Sequence, residues 1–282
     1  MGLGACKAFC GIIEIYPVHA SESISLAYQV KVDGKDVPVI QNSRTYAHFS
    51  FSGPISVVVT LPSSADAFTI SPKRLAPIVQ RNGATITFGL NRPGKFVIHK
   101  GYAADALVLF ADSLDASMPD PKSPAVAVAA ARGVDATGGI DNKARIQALI
   151  DSLSQLGAPR TLYFGPGIYK TGGLKIKNNV TVYLAGGALL SFVSTVNIPG
   201  SDNPGSGGNG PQACIAFDHV AKASLLGRGT IESNGLGHAI KGFFADQIHV
   251  AGVIARNAGA YNTHFVSSTN IVISNIKVLN NK

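Results

Sequence analysis

The sequence has no tryptophan, and aromatic residues fill only 7% of its 282 positions. A platform for stacking nucleic-acid bases is therefore not evident. Charge is scarce too: 14% of residues carry it, and 24 Lys and Arg against 16 Asp and Glu leave a net +8 that is scattered and forms no basic run. That distribution excludes the polycationic tail of a nucleic-acid binder; it is compatible with an acidic polymer as partner, and equally with a solvated basic surface. No apolar run approaches the roughly 20 residues that span a bilayer, so no membrane partner is expected and the chain reads as soluble. Three cysteines, Cys6, Cys10 and Cys214, are too few for a disulfide framework, and Cys-x-x-x-Cys without further Cys or His is a poor zinc signal. A Cys6–Cys10 bridge and simple burial of Cys214 both stay open. Asp and Glu are dispersed, with no adjacent Asp-Asp pair and no calcium-type cage. The glycine pairs match neither GxxxxGK[ST] nor a strand-to-helix GxGxxG. No cofactor and no metal are expected. The opening MGLGACKAFCGII lacks the ordered basic, apolar and cleavage regions of a clear signal peptide.

What the chain does have is a repeat. Gln247 to Lys282 carries one pattern twice: Ile248, Val250, Val253 and Asn257 precede Ile271, Ile273, Ile276 and Asn280 by about 23 residues. Alternating β-branched residues indicate strands, and Gly252, Asn275 and the closing asparagines indicate sharp turns. One such unit cannot bury its apolar face alone, so it stacks on neighbours. A parallel β-helix fits this pattern better than two hairpins in a sandwich.

The rest of the chain divides by character. From Ile12 to Asp115, short alternating segments and hairpin signals at Asp33-Gly34 and Asn82-Gly83 predict an antiparallel β-sandwich, domain 1–115. Tyr16, Tyr28, Tyr46, His48 and Tyr102 are available there for sugar, but aromatics in strands more often pack, and no site is assigned to them. SLDASMPDPKSP supplies a linker at 116–124. In the 125–282 domain a helix follows, with Asp141 as cap, Ile146, Leu149, Ile150 and Leu153 on one face and Gly157 at its end; covering a strand edge is the job expected of it. Successive short strands with corners at Gly165-Pro166-Gly167, Gly172-Gly173 and Gly186-Gly187 come next. Asn197–Gln212 is a Gly/Pro/Asn/Ser insertion, either a surface loop or a lid on a cleft.

Together, GGIDNKARIQALID, TLYFGPGIYKTGGLKIKNNVTVYLAGGALL, LLGRGTIESNG and NAGAYNTHFVSSTNIVISNIKVLNN resemble the first half of the catalytic β-helix of glycoside hydrolase family 28, the polygalacturonases and rhamnogalacturonases. The preceding segment resembles the N-terminal domain found in some of these enzymes and in related dextranases. The resemblance implies an all-β chain: an N-terminal antiparallel β-sandwich, then an incomplete right-handed parallel β-helix with one capping α-helix. It also implies a secreted glycosidase that inverts configuration with paired carboxylates, and an acidic, pectin-like polysaccharide as partner.

The family's Asn-Thr-Asp, Asp-Asp, Gly-His-Gly and Arg-Ile-Lys motifs are missing. Asn262-Thr263-His264 has His where the acid would stand; Gly237-His238-Ala239 and Leu174-Lys175-Ile176-Lys177 come too early. No catalytic residue is assigned, the chain is expected to be the N-terminal part of such a hydrolase, and turnover by it alone is not expected. An open β-helix end is expected to favour self-association. The resemblance places His264 near a substrate groove, with Tyr261 and Asn262 helping to shape it; His238 and Asp246 are weaker candidates, expected to face solvent. Two other classes stay in view: a polysaccharide lyase, which would leave unsaturated products, and a structural or adhesive β-helix of tailspike type.

Overall fold

The computed structural model describes residues 11–73, 78–101, 106–157, 159–199 and 212–280, and the chain divides into two compact units, Met1–Asp115 and Ala116–Lys282. Cys6, Cys10 and Tyr102 lie outside the described residues. Cys214 is buried, and burial pushes its thiol up to about 12. It is therefore unreactive at neutral pH.

The first unit contains two sheets. One is ordered Ile12–Ile15, Thr45–Ser52, Leu107–Ser113, Gly94–His99, Thr69–Ser71, with Val39–Gln41 also on Thr45–Ser52; the other is ordered Lys35–Val37, Gln29–Val32, Ile55–Thr60, Thr85–Leu90, Val79–Asn82. Their alternating apolar residues meet in one cluster that includes Val30, Val57, Val59 and Phe88 from the second sheet and Phe49, Phe51, Phe96 and Leu109 from the first. The Asp33-Gly34 turn forms as expected, with φ of 45° and 79°. The other hairpin closes one residue later than its signal, since Asn82 still pairs with Thr85. A wholly antiparallel unit was expected, and one pair departs from it. Leu107–Ser113 runs parallel to Thr45–Ser52. These strands are far apart in sequence, so no tight turn dictates their relative direction.

The second unit is a coil of parallel strands in three sheets. Sheet I runs Val126–Val128, Arg160–Phe164, Val180–Leu184, Ala221–Gly227, Asp246–Ala251, Thr269–Ser274; sheet II runs Gly167–Thr171, Ala188–Phe192, Thr230–Glu232, Ile254–Arg256, Lys277–Leu279; sheet III runs Leu174–Ile176, Ala213–Asp218, His238–Phe243, Thr263–Val266. The chain visits I, II and III in turn, and like residues stack: Ile248 on Ile271, Val250 on Ile273. Asn280 closes the repeat by bracketing Ala258, accepting its N–H at 3.2 Å and donating to its carbonyl at 3.4 Å. Corners need left-handed backbone, and the register lines such residues up. Gly227, Gly252 and Asn275 form one column, with φ of 120°, 82° and 52°. Glycine and asparagine reach that region most readily.

The helix, α1 (Lys143–Ser154), buries Ile146, Ile150 and Leu153 in the coil's core. Asp141 Oδ1 accepts the Lys143 N–H at 2.9 Å, and Gly157 follows the helix at φ 70°. Its edge-covering role has a specific agent. Gln147 Oε1 accepts the Lys175 N–H at 2.9 Å while its Nε2 donates to the Lys175 carbonyl at 2.8 Å, so one side-chain amide stands in for a missing neighbour of the first strand of sheet III. Gln147→Leu keeps the bulk and removes both bonds. It is expected to cost about 1–3 kcal/mol in urea unfolding; an unchanged midpoint would show that water serves that edge equally well.

Asp246 ties the last two strands of sheet I together. Its Oδ1 accepts from Thr269 Oγ1 and from Asn270 Nδ2, each at 2.7 Å, and these bonds, with that from Gln247, hold the carboxyl at about 2. A carboxyl lowered on folding contributes stability above its unfolded value and loses it as pH falls through the folded one, here between roughly pH 4 and pH 2. Thermal melts across that window are expected to fall more steeply for the wild type than for Asp246→Asn. Parallel curves would remove Asp246 from the account.

Candidate functional site

Sheet III turns Leu174, Ile176, Ile215, Phe217, Ile240 and Phe265 inward, so alternation sends the residues between them outward. One outward row runs Lys175, Ala216, Lys241, His264 across the four strands. Part of this face is covered. Val196 pairs antiparallel with Ala213 through bonds of 2.8 and 2.9 Å, and Ile198 packs with Ala213, Ala216 and Phe243. The start of the predicted Asn197–Gln212 insertion is thereby fixed to the sheet; its residues 200–211 lie outside the described residues.

At the edge where chains enter sheet III, three rings gather. The His238 and Tyr261 rings are parallel within 9° at 5.5 Å between centroids; His264 lies 4.8 Å from His238 and 5.3 Å from Tyr261. The stacking follows from the coil, because the rungs repeat every 23 residues here and Ala239 donates its N–H to the Tyr261 carbonyl. The Tyr261 N–H donates to His238 Nδ1 at 3.1 Å, so a neutral His238 carries its proton on Nε2. Tyr261 is 66% exposed, whereas His238 is buried. Asn262 Oδ1 is buried and accepts no hydrogen bond among the described residues. A buried acceptor in that state costs about 1–3 kcal/mol until a donor arrives. The three residues singled out from sequence, Tyr261, Asn262 and His264, therefore stand together.

One of the two weaker candidates is corrected. His238, expected to face solvent, is buried because Tyr261 and His264 close over its ring. Asp246 lies on sheet I, where Thr269 and Asn270 occupy its carboxylate. Sequence reasoning also passed over Lys175, Asp218, His219 and Phe244, which the register brings to one corner: Lys175 Nζ and His219 Nδ1 both reach Asp218, at 3.0 and 2.8 Å. No motif marks them as a group, since only strand pairing brings Lys175 and Phe244 to the Asp218-His219 pair. The ring cluster offers one exposed aromatic face, that of Tyr261, laid over a buried imidazole. An aromatic face of this kind can stack on the apolar face of a ring-shaped ligand. Among the described residues no group of three or more His, Cys, Asp or Glu is placed to hold a metal ion.

No family model matches the chain, and no curated protein does. Solved structures do resemble it. Dex49A from Penicillium minioluteum aligns with a TM-score of 0.61 at 14% identity, over 94% of this chain and 60% of that one. A family 28 exopolygalacturonase from Yersinia enterocolitica gives 0.47 at 14% identity, over 96% and 57%; an exopolygalacturonase from Thermotoga maritima gives 0.46 at 14%, over 57% and 48%. The likeness to Dex49A supports a right-handed β-helix and bears on the fold alone. The chain spans about 60% of Dex49A's length.

Proposed function

We propose that this chain is a polysaccharide-binding portion of a glycoside hydrolase of the β-helix type, taking glycan against Tyr261 and His264, with His238 buried beneath them, at the edge of sheet III. The observation that carries this reading is the exposed Tyr261 ring, stacked on the buried His238 imidazole and flanked by His264. The family 28 resemblance of the same segment and the β-helix shared with Dex49A support it. The net +8 favours an acidic, pectin-like polymer. In this reading the first unit is a β-sandwich placed ahead of the coil, the chain works outside the cell, and its residues bind glycan while none is assigned as acid or base.

Affinity electrophoresis tests the reading. Retarded migration is expected in gels cast with polygalacturonate, and weaker retardation with dextran; equal mobility in all gels, with and without polymer, would contradict it. Incubation with the retarding polymer distinguishes the reactions that remain. New reducing ends with saturated products mark hydrolysis, and unsaturated ends mark a lyase.

A further inference from the structure

The corner that follows sheet III holds a second ring cluster, about 20 Å along the strand from His238 at the usual strand rise. The Phe243 and Phe244 rings lie 4.5 Å apart, and His219 sits 5.5 Å from the first and 5.2 Å from the second. Beside them Asp218 takes hydrogen bonds from His219 Nδ1 and from Lys175 Nζ. Burial pushes this carboxyl up, but those two partners outweigh it and hold it below its ordinary value. With Nδ1 committed to the carboxylate, His219 keeps Nε2 for another partner on a ring that is largely exposed.

Backbone geometry shows that the fold does not select these side chains. His219, Phe244 and Ser267 occupy one column, with φ of 53°, 47° and 48°. Left-handed backbone at a corner suits glycine or asparagine, as the column of Gly227, Gly252 and Asn275 illustrates. A phenylalanine there incurs the conformational cost, and the residue is still 54% exposed, so neither turn geometry nor core burial accounts for it. An aromatic face flanked by an imidazole nitrogen and an internally neutral Lys–Asp pair presents donors and acceptors side by side. That combination recognises vicinal hydroxyls on a six-membered sugar ring.

We propose that Phe244 and His219, with the Lys175–Asp218 pair, form a second glycan subsite in which one pyranose ring stacks on Phe244 and its hydroxyls meet His219 Nε2 and the ion pair. This rests on the polysaccharide reading above. Neutral glucans and polyuronates share the required hydroxylated ring, and gels cast with dextran or with polygalacturonate tell which one supplies it.

The test uses Phe244→Asn and His219→Asn in the full chain, because asparagine tolerates the left-handed corner and removes the ring. Melting temperature is expected to hold or rise, while apparent affinity for the retarding polymer falls about three- to tenfold. Ile78→Ala, at a residue 92% exposed on the first unit, is expected to change neither. Wild-type retardation that Phe244→Asn leaves unaltered would overturn the subsite. So would a fall in melting temperature that matches the loss of binding, which would assign the ring to the fold. A wild-type chain that no polymer retards would contradict the polysaccharide reading itself and remove this subsite with it.

Discussion

Glu232→Ala is expected to remove about 3–5 kcal/mol of stability in chemical denaturation of the full chain. Glu232 lies buried on the outer side of sheet II, and its carboxylate is addressed from three directions. Arg256 Nε donates to Oε2 at 2.6 Å, Asn257 Nδ2 reaches both oxygens at 3.0 Å, and the Asn234 N–H donates to Oε1 at 3.0 Å. The pair is almost dry, with side-chain exposures of 2% for Arg256 and 7% for Glu232. Forming such a pair gains little against an apolar equivalent, but deleting one member leaves groups desolvated around an absent charge. Glu232→Gln keeps the shape and most acceptors, so its loss should be about half as large or less. A Glu232→Ala chain that loses under about 1 kcal/mol would show that the pair relaxes into water.

Gly227→Ala is expected to cost a comparable amount, about 3–5 kcal/mol, from two causes that add. Its φ of 120° is a conformation that side-chain-bearing residues rarely adopt, a strain of about 1–3 kcal/mol. A Cβ there would also stand 2.0 Å from the Leu184 carbonyl oxygen. That oxygen cannot retreat cheaply, because it accepts the N–H groups of Arg228 and Gly229 at 2.8 and 3.0 Å. Overpacking against fixed backbone adds about 1–3 kcal/mol. Gly34→Ala is the matched control: its φ is 79° and nothing lies within 4 Å of the added carbon, so only the conformational part applies. Equal losses for the two variants would show that contact with Leu184 contributes nothing.

These two sites show where the sequence was readable. Gly252, Asn275, Asn257 and Asn280 announced the repeat because a coil places residues of like conformation in register, and small or amide side chains suit its corners. The stacking of Ile248 on Ile271 follows from the same spacing. Lys222 and Gln247 within strands, and His219 and Phe244 at a corner, take left-handed backbone with no residue preference to reveal them. The Glu232–Arg256 pair was equally hidden, since a charge on a strand normally reads as solvent-facing. In the first unit ISLAYQVKV looks like one strand, yet the strand begins only at Gln29, because Ser25 Oγ accepts the N–H groups of Ala27 and Tyr28 and turns the chain instead.

The candidate site was half readable. Tyr261, Asn262 and His264 are neighbours in sequence and were found as a group. His238 joins them only through a rung register that a single sequence does not display. Pairing also carried the parallel contact between Thr45–Ser52 and Leu107–Ser113, which alternation cannot distinguish from an antiparallel one.

Calorimetric titration with oligosaccharides of the polymer that retards the chain, on wild type, Tyr261→Ala and His264→Ala, tests the central claim most directly. Tyr261 is two-thirds exposed, so its removal should leave the melting temperature in place. The account predicts binding by the wild type and about tenfold weaker binding by each variant. Equal affinity in all three, at equal stability, would contradict it and place the glycan elsewhere on the molecule.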